Sequence, residues 1–325
     1  MHAEEFWELR DKGIQCQLCP HNCYLKLGGA GICRTRSNIK NSLVNHNYGK
    51  VSCLALDPIE KKPLFHVKPG SKIISVGFAG CNFKCDFCQN WNISQNIPVL
   101  RELSPEELIK QAKLGSSVGI AYTYNEPLTN FEYILDTAHL AKEQGLINVV
   151  VSNGFINPKP LKKLLPVIDA WNIDIKAMQP EFYSTICKAK LEAVLETVEV
   201  LSKSSYIEIT NLIIPTLNDK EQDIDELVAW IARLSADIPL HFTRYFPQYK
   251  SAIPMTDIKK LYQAYNIAKK VLNWVYLGNI ADNSNTFCPK CNSLLISRPA
   301  YNNIEVINLV HNKCKRCGNL VPGIL

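Results

Sequence analysis

The sequence predicts an α/β protein, a partial (β/α)6 barrel with a small cysteine-rich, metal-binding module near each end of the chain. Two patterns support this fold class. Six short apolar runs alternate with helical stretches in the middle of the chain, and such alternation produces a parallel sheet with right-handed crossovers. Eight of the thirteen cysteines form two groups of four, one on each side of that region. We therefore expect three units, at residues 1–66, 67–282 and 283–325.

The strand candidates are short runs rich in β-branched and aromatic residues. They are KIISVGF (72–78), VGIAYTY (118–124), INVVVSN (147–153), AWNIDIK (170–176), YIEITNLII (206–214) and PLHFTRYF (239–246). Two of the helices between them have predicted capping boxes, Ser104 with Glu107 and Thr129 with Glu132. Because barrels of this kind carry their chemistry at the carboxyl ends of the strands, we expect the site there.

Composition and charge exclude several classes of protein. Apolar residues make up 46% of the 325 residues and charged residues 20%, which is typical of a folded enzyme and not of a disordered tail. The net charge of +6 is modest, and the basic residues are scattered without forming a nucleic-acid or membrane footprint. The sequence has no apolar stretch of membrane-spanning length, and its first twenty residues do not resemble a signal peptide. We expect a cytoplasmic protein.

Thirteen cysteines in a cytoplasmic chain favour metal binding over disulfides, because a reducing compartment keeps thiols free. Eleven of them fall into three groups, and Cys53 and Cys187 stand alone as predicted small buried side chains. The groups are Cys16, Cys19, Cys23 and Cys33; Cys81, Cys85 and Cys88; and Cys288, Cys291, Cys314 and Cys317.

The middle group follows the first predicted strand, in the loop where a barrel places its chemistry. Its three thiolates, Cys81, Cys85 and Cys88, can hold three irons of a cubane [4Fe-4S] cluster and leave one iron without a protein ligand. A small molecule can then bind that iron directly. The alternatives are a three-cysteine zinc site completed by a His, Asp or Glu, and three unrelated buried thiols.

The spacing of these cysteines, with Phe87 at the aromatic position, resembles the signature of radical S-adenosylmethionine (SAM) enzymes. Over nearly its whole length the chain resembles the radical SAM enzymes of the AmmeMemoRadiSam system (AmrS), which are relatives of pyruvate formate-lyase activating enzymes. The segments that carry this resemblance are "CQLCPHNCYLKLGGAGICRTRSN" from 16, "DPIEKKPLFHVKPG" from 57, "CNFKCDFCQNWNISQ" from 81, "YTYNEP" from 122, "SNGF" from 152, "DIK" from 174 and "VYLGN" from 275.

The resemblance implies a chemistry and a set of partners. The free iron would chelate the amino and carboxylate groups of SAM, and the reduced cluster would cleave SAM to methionine and a 5′-deoxyadenosyl radical. That radical would take a hydrogen atom from a substrate or a partner protein. The resemblance further implies Memo-type and AMMECR-type partner proteins and an electron donor such as flavodoxin or ferredoxin.

Five further residues are predicted to contact SAM or substrate. Asp174 and Lys176 match the Asp-x-Lys that helps activating enzymes bind SAM, and a plain buried ion pair is the alternative. Glu126 matches the glutamate beside the SAM amino group in those enzymes, whereas Asn125 stands where they carry glycine. Asn153 can be a cofactor contact or part of a tight Asn-Gly turn. His241 can contact SAM or substrate, or can be a structural histidine.

The two terminal groups need separate interpretations. The paired Cys-x2-Cys motifs at Cys288 and Cys314 predict a zinc-ribbon or rubredoxin-like site, with zinc favoured over iron. The N-terminal four cysteines can bind zinc or an auxiliary iron–sulfur cluster, and their spacing does not separate the two.

The alternative function for the whole chain is a nucleic-acid-binding or RNA-modifying protein that uses these modules to bind RNA. A third interpretation is an electron carrier, which would hold iron without cleaving SAM.

Overall fold

In a computed structural model of the chain, the structure describes residues 3, 5–281, 284–300 and 303–325. Its N-terminal part is built from short strands. The first three form an antiparallel sheet, and the next two form a hairpin. A sixth strand pairs with a distant one that follows the first short helix. These strands are β1 (Trp7–Arg10), β2 (Gly13–Cys16), β3 (Tyr24–Lys26), β4 (Arg36–Ile39), β5 (Ser42–Asn45), β6 (Lys50–Val51) and its partner β9 (Arg101–Glu102).

The central sheet has eight strands. Seven run parallel to one another, and the remaining edge strand is antiparallel to its neighbour. In spatial order they are β7 (Cys53–Pro58), β8 (Lys72–Gly77), β10 (Gly119–Tyr122), β11 (Ile147–Ser152), β12 (Ala170–Asp174), β13 (Tyr206–Ile213), β14 (Leu240–Arg244) and β15 (Val275–Gly278). The parallel strands all end at the same edge of the sheet, so the loops that follow them meet there.

Helices connect the parallel strands. They are α1 (Trp91–Ser94), α2 (Pro105–Leu114), α3 (Phe131–Glu143), α4 (Pro158–Leu164), α5 (Pro180–Phe182), α6 (Leu191–Ser204), α7 (Glu221–Leu234) and α8 (Ile258–Lys269), with irregular helical turns at Ile59–Lys61, Pro127–Asn130 and Tyr183–Cys187. The largest set of buried apolar side chains lies between these helices and the sheet. The α/β fold class is therefore confirmed, and all six predicted strands are present.

The sheet is larger than the sequence predicted. Strand β15 adds a seventh parallel strand, and β7 pairs antiparallel with β8. Strand β7 escaped prediction because two of its residues are exposed and it ends in proline, as edge strands often do. The sheet thus extends across the predicted boundary at residue 66. The other boundary, between residues 282 and 283, lies outside the described residues, and the three-unit division stays a prediction.

One predicted helix start is correct and one is wrong. Ser104 caps α2 by accepting a hydrogen bond from the backbone N–H of Glu107, with Pro105 at the first helical position. Thr129 does not cap α3, because its hydroxyl donates to the carbonyl of Glu126 inside a preceding helical turn. Glu132 instead forms an ion pair with the buried Arg36 of the N-terminal part.

The C-terminal part packs on the barrel through a second apolar cluster. Phe65, Trp274 and Tyr276 contribute from the barrel side, and Leu295 and Val321 contribute from the C-terminal side. Five short strands build this part: β16 (Thr286–Phe287), β17 (Leu294–Ala300), β18 (Asn303–Val306), β19 (Leu309–Val310) and β20 (Lys313–Cys314). Within the described ranges no helix is long and apolar enough to cross a membrane. The cytoplasmic location stays a prediction.

Candidate active site

A cavity of about 340 Å³ lies at the carboxyl edge of the sheet and collects most of the predicted site residues. The thiols of Cys81, Cys85 and Cys88, here called the cavity cysteines, line it. Five of the six predicted SAM-contacting residues line it as well, namely Phe87, Glu126, Asn153, Asp174 and Lys176. Their roles stay predictions, but the structure brings them together from four different strand ends.

The loop that carries the cavity cysteines is held by glycine and by contacts to sulfur. Gly80 has φ of 78°, and a Cβ at this position would lie 2.4 Å from the carbonyl oxygen of Cys33, so only glycine fits. The backbone N–H of Phe83 donates to Cys81 Sγ at 3.3 Å, and Ser94 Oγ lies 3.0 Å from Cys88 Sγ. These contacts orient the thiols without closing the cavity.

Burial makes bare thiolates unfavourable at this site. Desolvation raises the pKa of Cys81 well above its usual value and also raises that of Cys88. The pKa of Cys85 is also raised, mainly by the hydrogen bond with Cys187 and secondly by burial. A bound metal cation offsets this cost because it stabilises the deprotonated ligand. Three thiols around one cavity, with an iron-binding spacing in sequence, therefore fit a [4Fe-4S] cluster.

Glu126 is a buried carboxylate that organises the part of the cavity wall formed by Ser152 and Asn153. Its Oε1 accepts hydrogen bonds from the hydroxyl of Ser152 at 2.8 Å and the backbone N–H of Leu128 at 3.1 Å. Its Oε2 accepts from the backbone N–H of Asn153 at 2.8 Å. Burial nevertheless raises the pKa of Glu126 to about 7, so the carboxyl is partly protonated at neutral pH without a cationic ligand. A ligand ammonium group beside it would favour the ionised form.

Glu126 makes the stability of the protein depend on pH. Because its folded-state pKa lies above its unfolded value, its contribution is complete at low pH and is lost as the pH rises through about 7. We expect the free energy of unfolding of the wild type, relative to a Glu126→Gln variant, to fall by roughly 1 kcal/mol from about pH 6 to about pH 8. Denaturant unfolding of SAM-free protein measures this difference. The control is Glu143→Gln, which changes an exposed glutamate. A difference in unfolding free energy between the wild type and Glu126→Gln that does not change with pH would contradict the prediction.

Asp174 and Lys176 form a partly open ion pair. Lys176 Nζ lies 3.4 Å from Asp174 Oδ2, and the two side chains are 16% and 35% exposed, respectively. Burial lowers the pKa of Lys176, but the interaction with the Asp174 carboxylate favours the charged form, and the pKa of Lys176 is raised overall. Both side chains face the cavity. Asp174 and Lys176 can therefore form an ion pair with each other and still contact a ligand in the cavity.

Asn153 belongs to the predicted tight turn and to the cavity wall. Gly154 has φ of 71°, and Asn153 Oδ1 accepts from the backbone N–H of Phe155. The amide nitrogen of Asn153 donates to Asn82 Oδ1 at 2.8 Å and lies 3.9 Å from Cys81 Sγ. The turn thus fixes this side chain against the loop of the cavity cysteines.

His241 lies outside this cavity. Its ring is buried, and Nε2 lies 2.6 Å from Glu208 Oε2. It lines a neighbouring chamber of about 390 Å³, which shares Lys62, Tyr124 and other residues with the main cavity. The buried contact with Glu208 agrees with the structural alternative for His241, and a contact of His241 with SAM or substrate stays a prediction.

Two residues that hold the site were missed in the sequence. Asn125, which stands where related enzymes carry glycine, accepts from the backbone N–H of Phe78 and donates to the carbonyl of Gly80 at 2.7 Å. Cys187, predicted to be a small buried side chain, lies with its Sγ 3.5 Å from Cys85 Sγ. No local pattern marks Cys187, because 102 residues separate the two thiols. For Asn125 the sequence did offer a signal, because an asparagine at a position where the resemblance implies glycine can form side-chain hydrogen bonds.

Cys187 is positioned to tune a cluster bound at Cys85. If Cys85 is a thiolate ligand, the Cys187 S–H group donates to it, and such hydrogen bonds favour the more negative, reduced cluster. We expect Cys187→Ala to make the midpoint reduction potential of the cluster more negative, while Cys187→Ser, which keeps a donor, stays closer to the wild type. Redox titration followed by electron paramagnetic resonance (EPR) measures the potential. Cys53→Ala is the control, and an unchanged potential in Cys187→Ala would contradict this role.

The C-terminal cysteine set (Cys288, Cys291, Cys314 and Cys317) has the geometry of a single-ion site. Its four Sγ atoms all lie within 4.8 Å of one another. Four thiolates around one zinc, with bonds of about 2.3 Å, lie about 3.8 Å apart. The pairs Cys288–Cys317 and Cys291–Cys314 lie at 3.5 and 3.6 Å. This set can therefore bind one metal ion.

The N-terminal cysteine set (Cys16, Cys19, Cys23 and Cys33) lines a separate, small cavity. The structure thus places these four thiols around one cavity, and their role as metal ligands stays a prediction. The wall of this cavity includes Asn82, the residue next to Cys81. The N-terminal cysteine set therefore adjoins the active-site loop.

Comparison with known proteins agrees with this arrangement. The family model "Radical SAM superfamily" matches residues 75–231, which span the cavity cysteines and strands β8 to β13. An uncharacterised protein of Methanocaldococcus jannaschii is 43% identical over the whole of both chains. A pyruvate formate-lyase-activating enzyme of Clostridium pasteurianum is 28% identical over 49% of this chain and 68% of its own.

A solved structure shares the fold at low sequence identity. Streptococcus suis SuiB bound to S-adenosylmethionine matches 69% of this chain and 53% of its own, with a TM-score of 0.52 and 13% identity. Nothing in these comparisons supports a nucleic-acid-binding protein. The superfamily implies SAM and a [4Fe-4S] cluster, and the residues around the cavity fit both. The family match, which includes the cavity cysteines, shows that residues 75–231 of the chain form a radical SAM domain.

Proposed function

We propose that this protein binds SAM at a [4Fe-4S] cluster held by the cavity cysteines and cleaves it reductively to a 5′-deoxyadenosyl radical. The single observation that carries the proposal is the cavity itself. Three thiols line it together with the ionisable residues Glu126, Asp174 and Lys176, and within the described part of the chain no fourth cysteine lines it. A cluster with three protein ligands keeps one iron available for a small molecule.

The charged residues are suited to the amino acid part of SAM. Glu126 presents a carboxylate that can pair with an ammonium group, and Lys176 presents an ammonium group that can pair with a carboxylate or hydroxyl. Asn153 adds an amide beside Cys81. The protein's contribution is to bind and orient SAM and to exclude water, while the cluster supplies the electron for cleavage.

The neighbouring chamber is suited to the hydrogen donor. Lys62 is buried there, with its Nζ 2.8 Å from Asp57 Oδ2 and 4.4 Å from the centre of the Tyr124 ring. The hydroxyl of Tyr124 donates to the same carboxylate at 2.7 Å. Because the chamber shares this wall with the main cavity, a substrate group bound there would lie beside SAM bound in the main cavity.

The subtype proposed is activating-enzyme-like. The similarity to a pyruvate formate-lyase-activating enzyme supports it, as does the resemblance to the AmmeMemoRadiSam radical SAM enzymes (AmrS). On this proposal the hydrogen donor is a substrate or partner protein, with Memo-type and AMMECR-type proteins as candidate partners and flavodoxin or ferredoxin as the electron donor. We further propose that the C-terminal cysteine set binds zinc, because its sulfur spacing suits one tetrahedral ion.

The proposal is tested by an anaerobic assay. Protein reconstituted with iron and sulfide is reduced, mixed with SAM and analysed for 5′-deoxyadenosine and methionine by chromatography. Formation of both products in equal amounts is the expected result. Absence of 5′-deoxyadenosine from a sample that holds a reducible, SAM-binding cluster would contradict it.

A further inference from the structure

The N-terminal cysteine set is enclosed as a metal centre would be. Its cavity measures about 20 Å³, and its remaining wall is mainly apolar, with Leu25, Leu128 and Phe155 among the lining residues. Gly31 also lines it, and a Cβ there would lie 3.6 Å from Cys33 Sγ and 3.8 Å from Cys23 Sγ. Glycine therefore keeps the space between two of the thiols free.

The spacing of these thiols differs from that of the C-terminal cysteine set. In the part of the chain that the structure describes, the C-terminal set is the one group of three or more metal-binding side chains whose ligand atoms all lie within 4.8 Å. No three thiols of the N-terminal set meet that limit, and neither do the three cavity cysteines. A tetrahedral zinc site needs sulfur atoms about 3.8 Å apart. The N-terminal set thus shares the wider spacing of the cavity cysteines, which suits a cluster better than one ion.

We propose that the N-terminal cysteine set binds a second [4Fe-4S] cluster, which passes electrons to the cluster at the cavity cysteines. Four cysteines ligate all four irons, so this cluster has no open position for SAM. Its remaining chemistry is one-electron transfer. A low-potential electron-donor protein reduces it, the electron moves to the cluster at the cavity cysteines, and the second cluster returns to its oxidised state without a bond being formed or broken.

A short path joins the two sites. Asn82 lines the cavity of the N-terminal cysteine set and follows Cys81 directly in the chain. His21, which lies between Cys19 and Cys23, has its Nε2 2.7 Å from the carbonyl oxygen of Asn82. One hydrogen bond and a few covalent bonds therefore connect the two sets of ligands.

Metal content tests the cluster independently of SAM chemistry. Wild-type protein reconstituted anaerobically should hold about eight irons per chain, and a Cys81→Ala/Cys85→Ala/Cys88→Ala variant about four, with an EPR signal on reduction. In the full chain, Cys16→Ser/Cys19→Ser should lose about four irons, whereas the control Cys53→Ser should lose none. About four irons in the wild type, with zinc at the N-terminal set, would overturn the proposal.

Magnetic coupling tests the electron path, which rests on the proposed function. When both clusters are reduced, the wild-type EPR spectrum should be broadened relative to the sum of the spectra of the two cluster-deficient variants. A spectrum equal to that sum would overturn the relay. The two proposals fail separately: about eight irons without 5′-deoxyadenosine contradicts SAM cleavage alone, and SAM cleavage with about four irons contradicts the second cluster alone.

Discussion

Replacement of all three cavity cysteines by alanine is expected to reduce 5′-deoxyadenosine formation to the level of a protein-free control. Without the thiolates the chain has no cluster at which SAM can be reduced, and the remaining charged residues have no means of supplying an electron. The assay is the anaerobic incubation with reductant and SAM described above. The loss is expected to be complete, because no other group that lines the cavity can replace the cluster.

The fold should survive this substitution. The thiols line a cavity, so their removal leaves no large hole in the packed interior, and the metal of the C-terminal cysteine set lies elsewhere. Circular dichroism and zinc analysis check both points. Cys53→Ala, which changes a cysteine that does not line the cavity, is the control and should keep full activity. Unchanged SAM cleavage by a folded triple variant would remove these cysteines from the mechanism.

Substitution of Asp174 or Lys176 by alanine is expected to weaken SAM binding by about tenfold to a hundredfold. Each change removes one charged hydrogen-bonding group, which typically contributes about 1.5–3 kcal/mol, and leaves its partner unpaired. The partial exposure of both side chains places the expected effect toward the lower end. Equilibrium dialysis of cluster-loaded protein with SAM, under anaerobic conditions, measures the dissociation constant.

A matched pair separates binding from structure at these positions. Asp174→Asn keeps the size of the side chain but removes its charge, and Lys142→Ala breaks a surface ion pair with Asp169 far from the cavity. The first should weaken SAM binding, and the second should leave it unchanged. A dissociation constant unaltered in both Asp174→Ala and Lys176→Ala would show that the pair is purely structural.

The fold could be predicted where local pattern and tertiary packing agree. Strand Ile147–Ser152 is mostly apolar because both faces of a parallel sheet are covered. The start of α3 was missed because Glu132 serves a long-range ion pair with Arg36, 96 residues away, which a local capping rule cannot foresee. The edge strand β7 was missed for the same kind of reason, since its partner and not its composition makes it a strand.

The site was predictable where a motif lies at a strand end. Glu126, Asp174 and Asn153 each follow or end a recognisable strand, so a parallel sheet necessarily gathers them at one edge. Cys187 and Asn82 could not be assigned, because their roles depend on contacts with residues distant in sequence. The difference between the two terminal cysteine sets likewise lies in three-dimensional spacing and not in sequence spacing.

The most direct test of the central claim is whether SAM binds the open iron. Electron–nuclear double resonance of the reduced protein, with SAM labelled with ¹⁵N at its amino group and ¹⁷O at its carboxylate, detects coordination by each atom. Hyperfine coupling is expected from both labels in the wild type and from neither in the variant without cavity cysteines. Bound SAM that shows no coupling to the cluster would contradict coordination of SAM by the open iron.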